Sequence, residues 1–229
     1  MRRNVGVVGL GLLVGCAAGK TDSGPHALGF GAAGAVGAAL LPADGLGDTF
    51  TVEAWVQLGD TLPGTDLPVL VVDGGFALWV AADGLAWFGA DAAQDIGLYA
   101  PADLRDGAPH HLRGLWDGES AELYVDGVLA GLHRGTGLAG AGALTVGGWP
   151  RRGAVFAGLI DEIHLQDGLH PPEAEAPPTE AATLGADTVR LWAADEGAGR
   201  FARDAVEGAD LRLDEGVEWV PFSPFGEAR

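Results

Sequence analysis

The residues best equipped for chemistry are two pairs of acids, Asp161-Glu162 and Asp195-Glu196. Retaining glycoside hydrolysis needs two carboxyls about 5 Å apart, and acids alternating along one strand supply that spacing. The segment Ile160-Asp161-Glu162-Ile163-His164-Leu165-Gln166-Asp167 does not alternate in that way. On a strand Asp161 and Glu162 point to opposite faces, and Ile163 and Leu165 stand where a second acid would have to be. His110-His111 diverge on a strand for the same reason and do not grip one metal together. His26, His133, His164 and His170 form no ligand pair at i, i+2 or i, i+4. No Gly-x-Ser-x-Gly occurs. These patterns argue against catalysis.

Gly147-Gly148-Trp149-Pro150-Arg151-Arg152 reads as a loop that sets one aromatic ring beside two cations. Such a ring stacks on sugars, and Arg151 and Arg152 suit an acidic glycan or a protein partner. The competing reading folds Trp149 back over the edge of the fold, as large aromatic rings commonly are.

The single cysteine has a better use than a disulfide or a thiolate zinc site, both of which need partners. Met1-Arg2-Arg3 and the apolar run from Val5 to Val14 read as an export signal, too short to span a bilayer. Leu13-Val14-Gly15-Cys16 resembles a bacterial lipobox. That resemblance implies removal of residues 1–15 and lipidation of Cys16, where several acyl chains give stable anchoring. Residues 16–25 are then a tether. By the sorting habit of enteric lipoproteins, Ala17 points to the outer membrane. The expected place is the bacterial cell envelope, with the membrane touched through the lipid alone.

The positioning elements follow from composition and pattern. A formal charge of −19 leaves too few cations to neutralise nucleic acid or an anionic bilayer surface. Hydrophobic residues at 48% suffice for a core, while Gly 39 and Pro 13 favour many turns and an all-β chain. Phe50, Val52, Ala54 and Val56 alternate onto one face of a strand. Asp73-Gly74-Gly75, Asp83-Gly84 and Asp126-Gly127 separate further strands as hairpin turns. Roughly a dozen short strands predict a two-sheet antiparallel sandwich. Between Leu28 and Leu41 the Ala/Gly composition supports either helix or strand. One domain is expected over 26–222, with a Pro/Glu-rich connection at 170–184 and strands at 185–222 returning to the same sandwich.

Four segments carry a resemblance. They are Phe50-Thr51-Val52-Glu53-Ala54-Trp55-Val56; Asp106-Gly107-Ala108-Pro109-His110-His111-Leu112 with Leu123-Tyr124-Val125-Asp126-Gly127; Phe156-Ala157-Gly158-Leu159-Ile160-Asp161-Glu162-Ile163; and Leu191-Trp192-Ala193-Ala194-Asp195-Glu196-Gly197. In that order they resemble the laminin-G-like, concanavalin A-like jelly-roll family. The resemblance implies a jelly-roll sandwich and calcium held beside acids, here Asp161, Glu162, Asp195 and Glu196. The family's acidic entry strand reads Phe30-Gly31-Ala32-Ala33-Gly34-Ala35-Val36 here, without acids. The competing reading has Asp161 and Asp195 accept hydrogen bonds from turn backbone. The function expected is a non-catalytic, envelope-anchored binding or adhesion module for a glycan or an envelope or extracellular protein. The alternatives are a structural or assembly lipoprotein and, last, a degenerate glycoside hydrolase.

Overall fold

The computed structural model describes residues 24–226, apart from 32–34, 43–44, 91–96, 136 and 207. The leader, Cys16, Ala17 and most of the tether therefore lie outside the described residues. Eighteen strands and no helix occur among those described. They begin with β1 (His26–Phe30), β2 (Gly37–Leu40), β3 (Phe50–Leu58), β4 (Leu67–Val72), β5 (Phe76–Val80) and β6 (Leu85–Ala90). Next come β7 (Gly97–Asp103), β8 (Pro109–Trp116), β9 (Ser120–Val125), β10 (Val128–Arg134), β11 (Ala143–Val146) and β12 (Gly148–Trp149). The last are β13 (Ala154–Val155), β14 (Gly158–Asp167), β15 (Thr188–Trp192), β16 (Phe201–Ala202), β17 (Leu211–Leu213) and β18 (Glu218–Pro221). The strands outnumber those legible in the sequence because several span only two to four residues, too few for alternation to show. The ambiguous stretch from Leu28 to Leu41 holds the end of β1 and all of β2.

Two large antiparallel sheets make a jelly-roll sandwich. The first runs β10-β9-β8-β3-β14-β1-β18, with β15 also paired to β14. The second runs β16-β17-β2-β11-β4-β5-β6-β7. Strands from the C-terminal stretch enter both: β15 and β18 join the first sheet, β16 and β17 the second.

Between the sheets lies the core. Val52, Ala54 and Val56 of β3 with Ile160, Ile163 and Leu165 of β14 meet Leu70, Phe76, Leu78 and Phe88 of the second sheet. Phe76 packs on Phe50 at 5.1 Å and on Phe88 at 6.1 Å between ring centroids. Burial of each such side chain contributes about 1.5–3 kcal/mol, which orients every strand of the sandwich.

The β9–β10 hairpin closes on Asp126-Gly127, whose φ values of 50° and 79° are those of a type I′ turn. Its Asp126 also accepts a 2.8 Å hydrogen bond from the His111 N–H and pairs with His110 at 2.7 Å.

β14 departs from regular pairing at one point. Asp161 stands opposite Trp55 and His164 opposite Glu53, so β14 spends three residues where β3 spends two. Glu162 takes up the extra length in a left-handed conformation, φ 47°.

Candidate functional site

The site grows from β3. With Val52, Ala54 and Val56 turned into the core, Glu53 and Trp55 turn to the outer face of the first sheet. Register then decides their neighbours. Glu53 stands opposite Arg113 of β8 and His164 of β14, and Trp55 opposite His111 and Asp161.

Glu53 is buried, and each partner reaches it. Arg113 Nε donates to its Oε2 at 2.7 Å, and the Arg113 Nη2 pairs with the same oxygen. His111 Nε2 lies 3.2 Å from Oε2 and His164 Nδ1 3.0 Å from Oε1. Burial alone would push the Glu53 carboxyl up. The hydrogen bonds with His111 and His164, with the charge of Arg113 beside it, outweigh burial and hold it far below the usual carboxylate range. This cluster joins residues from three strands and ties the middle of the sheet together.

Over this face passes the Pro/Glu-rich connection, here a strap of residues 171–183. Its entry is held by the His170 N–H donating to Thr51 Oγ1 at 2.9 Å and by Arg113 Nη1 donating to the His170 carbonyl at 3.0 Å. Mid-strap, the backbone of Ala174 and Ala176 lies against Gly127, so close that a Cβ there would run into it. On the return, the Ala182 N–H donates to Glu162 Oε2 at 3.0 Å, and Thr188 bonds His164 Nε2 at 3.0 Å. Between sheet and strap lies a groove of about 790 Å³, a volume within the usual range for small-ligand sites. Its floor includes Glu53, Trp55, His111, Arg113, Glu162 and Gln166.

The structure corrects the expected placement of the acid pair. Asp161 and Glu162 do not diverge, because the extra residue in β14 turns Glu162 toward the groove on the face that Asp161 shares with Trp55. Burial pushes the Asp161 carboxyl up to about 8, and the neighbouring Glu162 charge adds to it. Burial likewise raises Glu162 to about 7 against the lowering effect of the Ala182 N–H. Each acid named for calcium already holds a backbone N–H. Asp161 accepts from Glu162 at 2.9 Å and Glu162 from Ala182 at 3.0 Å. Asp195 accepts from His26 at 2.9 Å and Glu196 from Arg203 at 2.7 Å. Among the described residues no three of His, Cys, Asp or Glu gather as a metal-ligand set. These hydrogen bonds suit the holding of turns.

Trp149 also differs from the loop expected of it. It belongs to the β12–β13 hairpin, is 1% exposed, and packs on the outer face of the second sheet. Its ring meets Trp79 at 5.4 Å, and the Arg152 guanidinium lies 3.9 Å from its centroid. Arg152 pairs with Asp66 at 3.6 Å, and Arg151 pairs with Asp73. Burying a large ring under a cation is favourable, and it closes the ring to a sugar. Sequence reasoning passed over Glu53, His111, Arg113 and His164 as a group. The one available signal was an acid in the middle of a strand that alternates apolar residues into the core.

Comparison with known proteins agrees with this fold. The concanavalin A-like lectin/glucanases superfamily, in its laminin G form, matches residues 32–173. A candidate carbohydrate-binding protein from Bacteroides ovatus is 14% identical, with a TM-score of 0.69 over 87% of this chain. This chain spans 60% of that protein's length. A heptameric SAP-like pentraxin from Limulus polyphemus is 12% identical, with a TM-score of 0.63, over 90% of this chain and 99% of its own. Domains LG4-5 of the mouse laminin alpha1 chain are 20% identical, with a TM-score of 0.49, over 62% of this chain and 41% of theirs. No curated protein matches the sequence. At these identities the structural likeness establishes the fold, and the family match covers more than half of the sequence. The chain belongs to the concanavalin A-like lectin/glucanases superfamily.

Proposed function

We propose that this chain is a non-catalytic binding module that takes a glycan into the groove beneath the strap. The groove carries the reading: about 790 Å³, floored by fixed polar side chains and one aromatic ring, as small-ligand sites are. The fold is shared with a Bacteroides ovatus protein described as a candidate carbohydrate binder, which supports the same ligand class. Glu53 faces the groove but is tied to Arg113, His111 and His164, which suits positioning and not attack. We propose further that a lipid on Cys16 displays the module from the bacterial envelope, at the outer membrane.

A second reading, as a structural or assembly lipoprotein, is favoured by β10. This strand lies at the edge of the first sheet with Val128 and Leu129 each 49% exposed and Leu132 56% exposed. An apolar edge of this kind suits pairing with another protein.

The test is a glycan array probed with the full chain in detergent, with and without EDTA. Specific binding that survives EDTA is expected. A blank array from folded protein moves the weight to the protein-partner reading.

A further inference from the structure

The charge of the groove bears on which glycans it takes, and this inference rests on the glycan reading above. We propose that the groove selects uncharged saccharides and rejects sialylated, uronic and sulfated ones.

The cations are turned inward. Among the described residues that line the groove, Arg113 is the only Lys or Arg. Its Nε and Nη2 are engaged by Glu53, and its Nη1 by the His170 carbonyl. The histidines are engaged as well. His111 Nε2 faces Glu53, His164 bridges Glu53 and Thr188, and His170 Nε2 lies 2.9 Å from the Asp167 carbonyl. An anionic group entering the groove could take a charged donor from Arg113 only by breaking one of these bonds and leaving a buried acceptor without it.

The acids face the groove. Glu162 stands in its floor, while Glu173 and Glu180 are exposed on the strap that roofs it. Pro171-Pro172 and Pro177-Pro178 restrain the strap on either side of Gly127, so its acids are carried on a stiff backbone. A carboxylate or sulfate held here would meet the charge of Glu173 and Glu180 inside a chain of formal charge −19. A saccharide hydroxyl meets the opposite situation. It donates to a carboxylate, and the Gln166 amide and Thr179 hydroxyl, which also line the groove, can both donate and accept. Repulsion thus discriminates where no attractive contact is needed.

The experiment uses the full chain in detergent on an array that pairs neutral oligosaccharides with their sialylated, uronic and sulfated counterparts, at low and high salt. Neutral members are expected to bind with affinity that changes less than about twofold with salt. Anionic counterparts are expected to bind at least about tenfold more weakly, and the exposed-site variant Glu173→Gln/Glu180→Gln is expected to narrow that gap. Anionic glycans binding as well as neutral ones would overturn the selectivity while leaving the glycan reading in place. A gap unchanged in the double variant would overturn its electrostatic origin. An array on which nothing binds would remove the glycan reading and this inference with it.

Discussion

Glu53 Oε1 lies 3.0 Å from His164 Nδ1 because β14 carries one residue more than β3 across this span. Were Glu162 paired regularly opposite Ala54, alternation would set Ile163 opposite Glu53 and turn His164 into the core. The bulge at Glu162 is therefore the local feature that completes the cluster and also swings Glu162 into the groove.

Glu53→Gln should destabilise the fold by about 3–5 kcal/mol, the cost of leaving Arg113 without its buried counter-charge. Arg113→Ala should cost a similar amount, and the double variant clearly less than the sum of the two. Urea unfolding of the three variants measures the coupling. Additive losses would mean that the pair acts as two independent residues.

The acid pair sets a dependence of stability on pH. Asp161 titrates at about 8 and Glu162 at about 7, above the ordinary values of 3.8 and 4.5. Both are raised in the folded state, so their contribution is complete below the ordinary carboxylate range. It is lost progressively as pH rises from there through 7 and 8. Asp161→Asn removes the charge and keeps an oxygen to accept the Glu162 N–H. The variant should melt several degrees higher than the parent near pH 8 and almost equally near pH 4. Equal melting at both pH values would contradict the assignment.

Gly127→Ala should release the strap. Gly127 and Gly107 share a φ of 79°, but a Cβ at Gly107 meets nothing within 4 Å, whereas one at Gly127 meets the backbone of Ala174 and Ala176. Gly107→Ala thus reports the turn strain alone. Limited proteolysis should cut residues 171–183 faster in Gly127→Ala than in Gly107→Ala. Equal rates would show that the strap does not depend on this contact.

Trp149→Ala should cost about 3–5 kcal/mol, as loss of a fully buried ring does. Calorimetry provides the measurement, and a change within about 0.5 kcal/mol, the range of ordinary surface substitutions, would contradict its packing on Trp79 at the outer face of the second sheet.

Much of the sandwich was legible in the sequence, and for physical reasons. Phe50, Val52, Ala54 and Val56 alternate because β3 puts one face into the core, and Asp126-Gly127 marks a turn that needs two positive φ values. The four ordered motifs carried the family. The site was far less legible. Glu53 meets Arg113 and His164 across 60 and 111 residues of chain, and nothing in the local pattern of any one strand announces that meeting. The extra residue in β14 shows only as a step of three between the core positions Ile160 and Ile163 before alternation resumes at Leu165, so on regular alternation Asp161 and Glu162 looked divergent. Pro171 to Thr183 showed itself as a break in composition, but its path over the sheet depends on contacts with Gly127 and Glu162 that are remote in sequence. Trp149 beside two arginines looked like a binding loop because a ring folded onto Trp79 has the same local sequence as one left open.

The most direct test of the account is calorimetric titration of a glycan found on the array against three forms of the full chain. They are the parent, Gln166→Ala in the groove floor, and Arg151→Ala/Arg152→Ala on the opposite sheet. The account predicts that Gln166→Ala weakens binding by up to about tenfold at an unchanged melting temperature, as loss of one ligand hydrogen bond does. The arginine variant should bind like the parent, and EDTA should leave all three affinities unchanged. Binding that is lost with the two arginines, or lost in EDTA, and indifferent to Gln166 would contradict it.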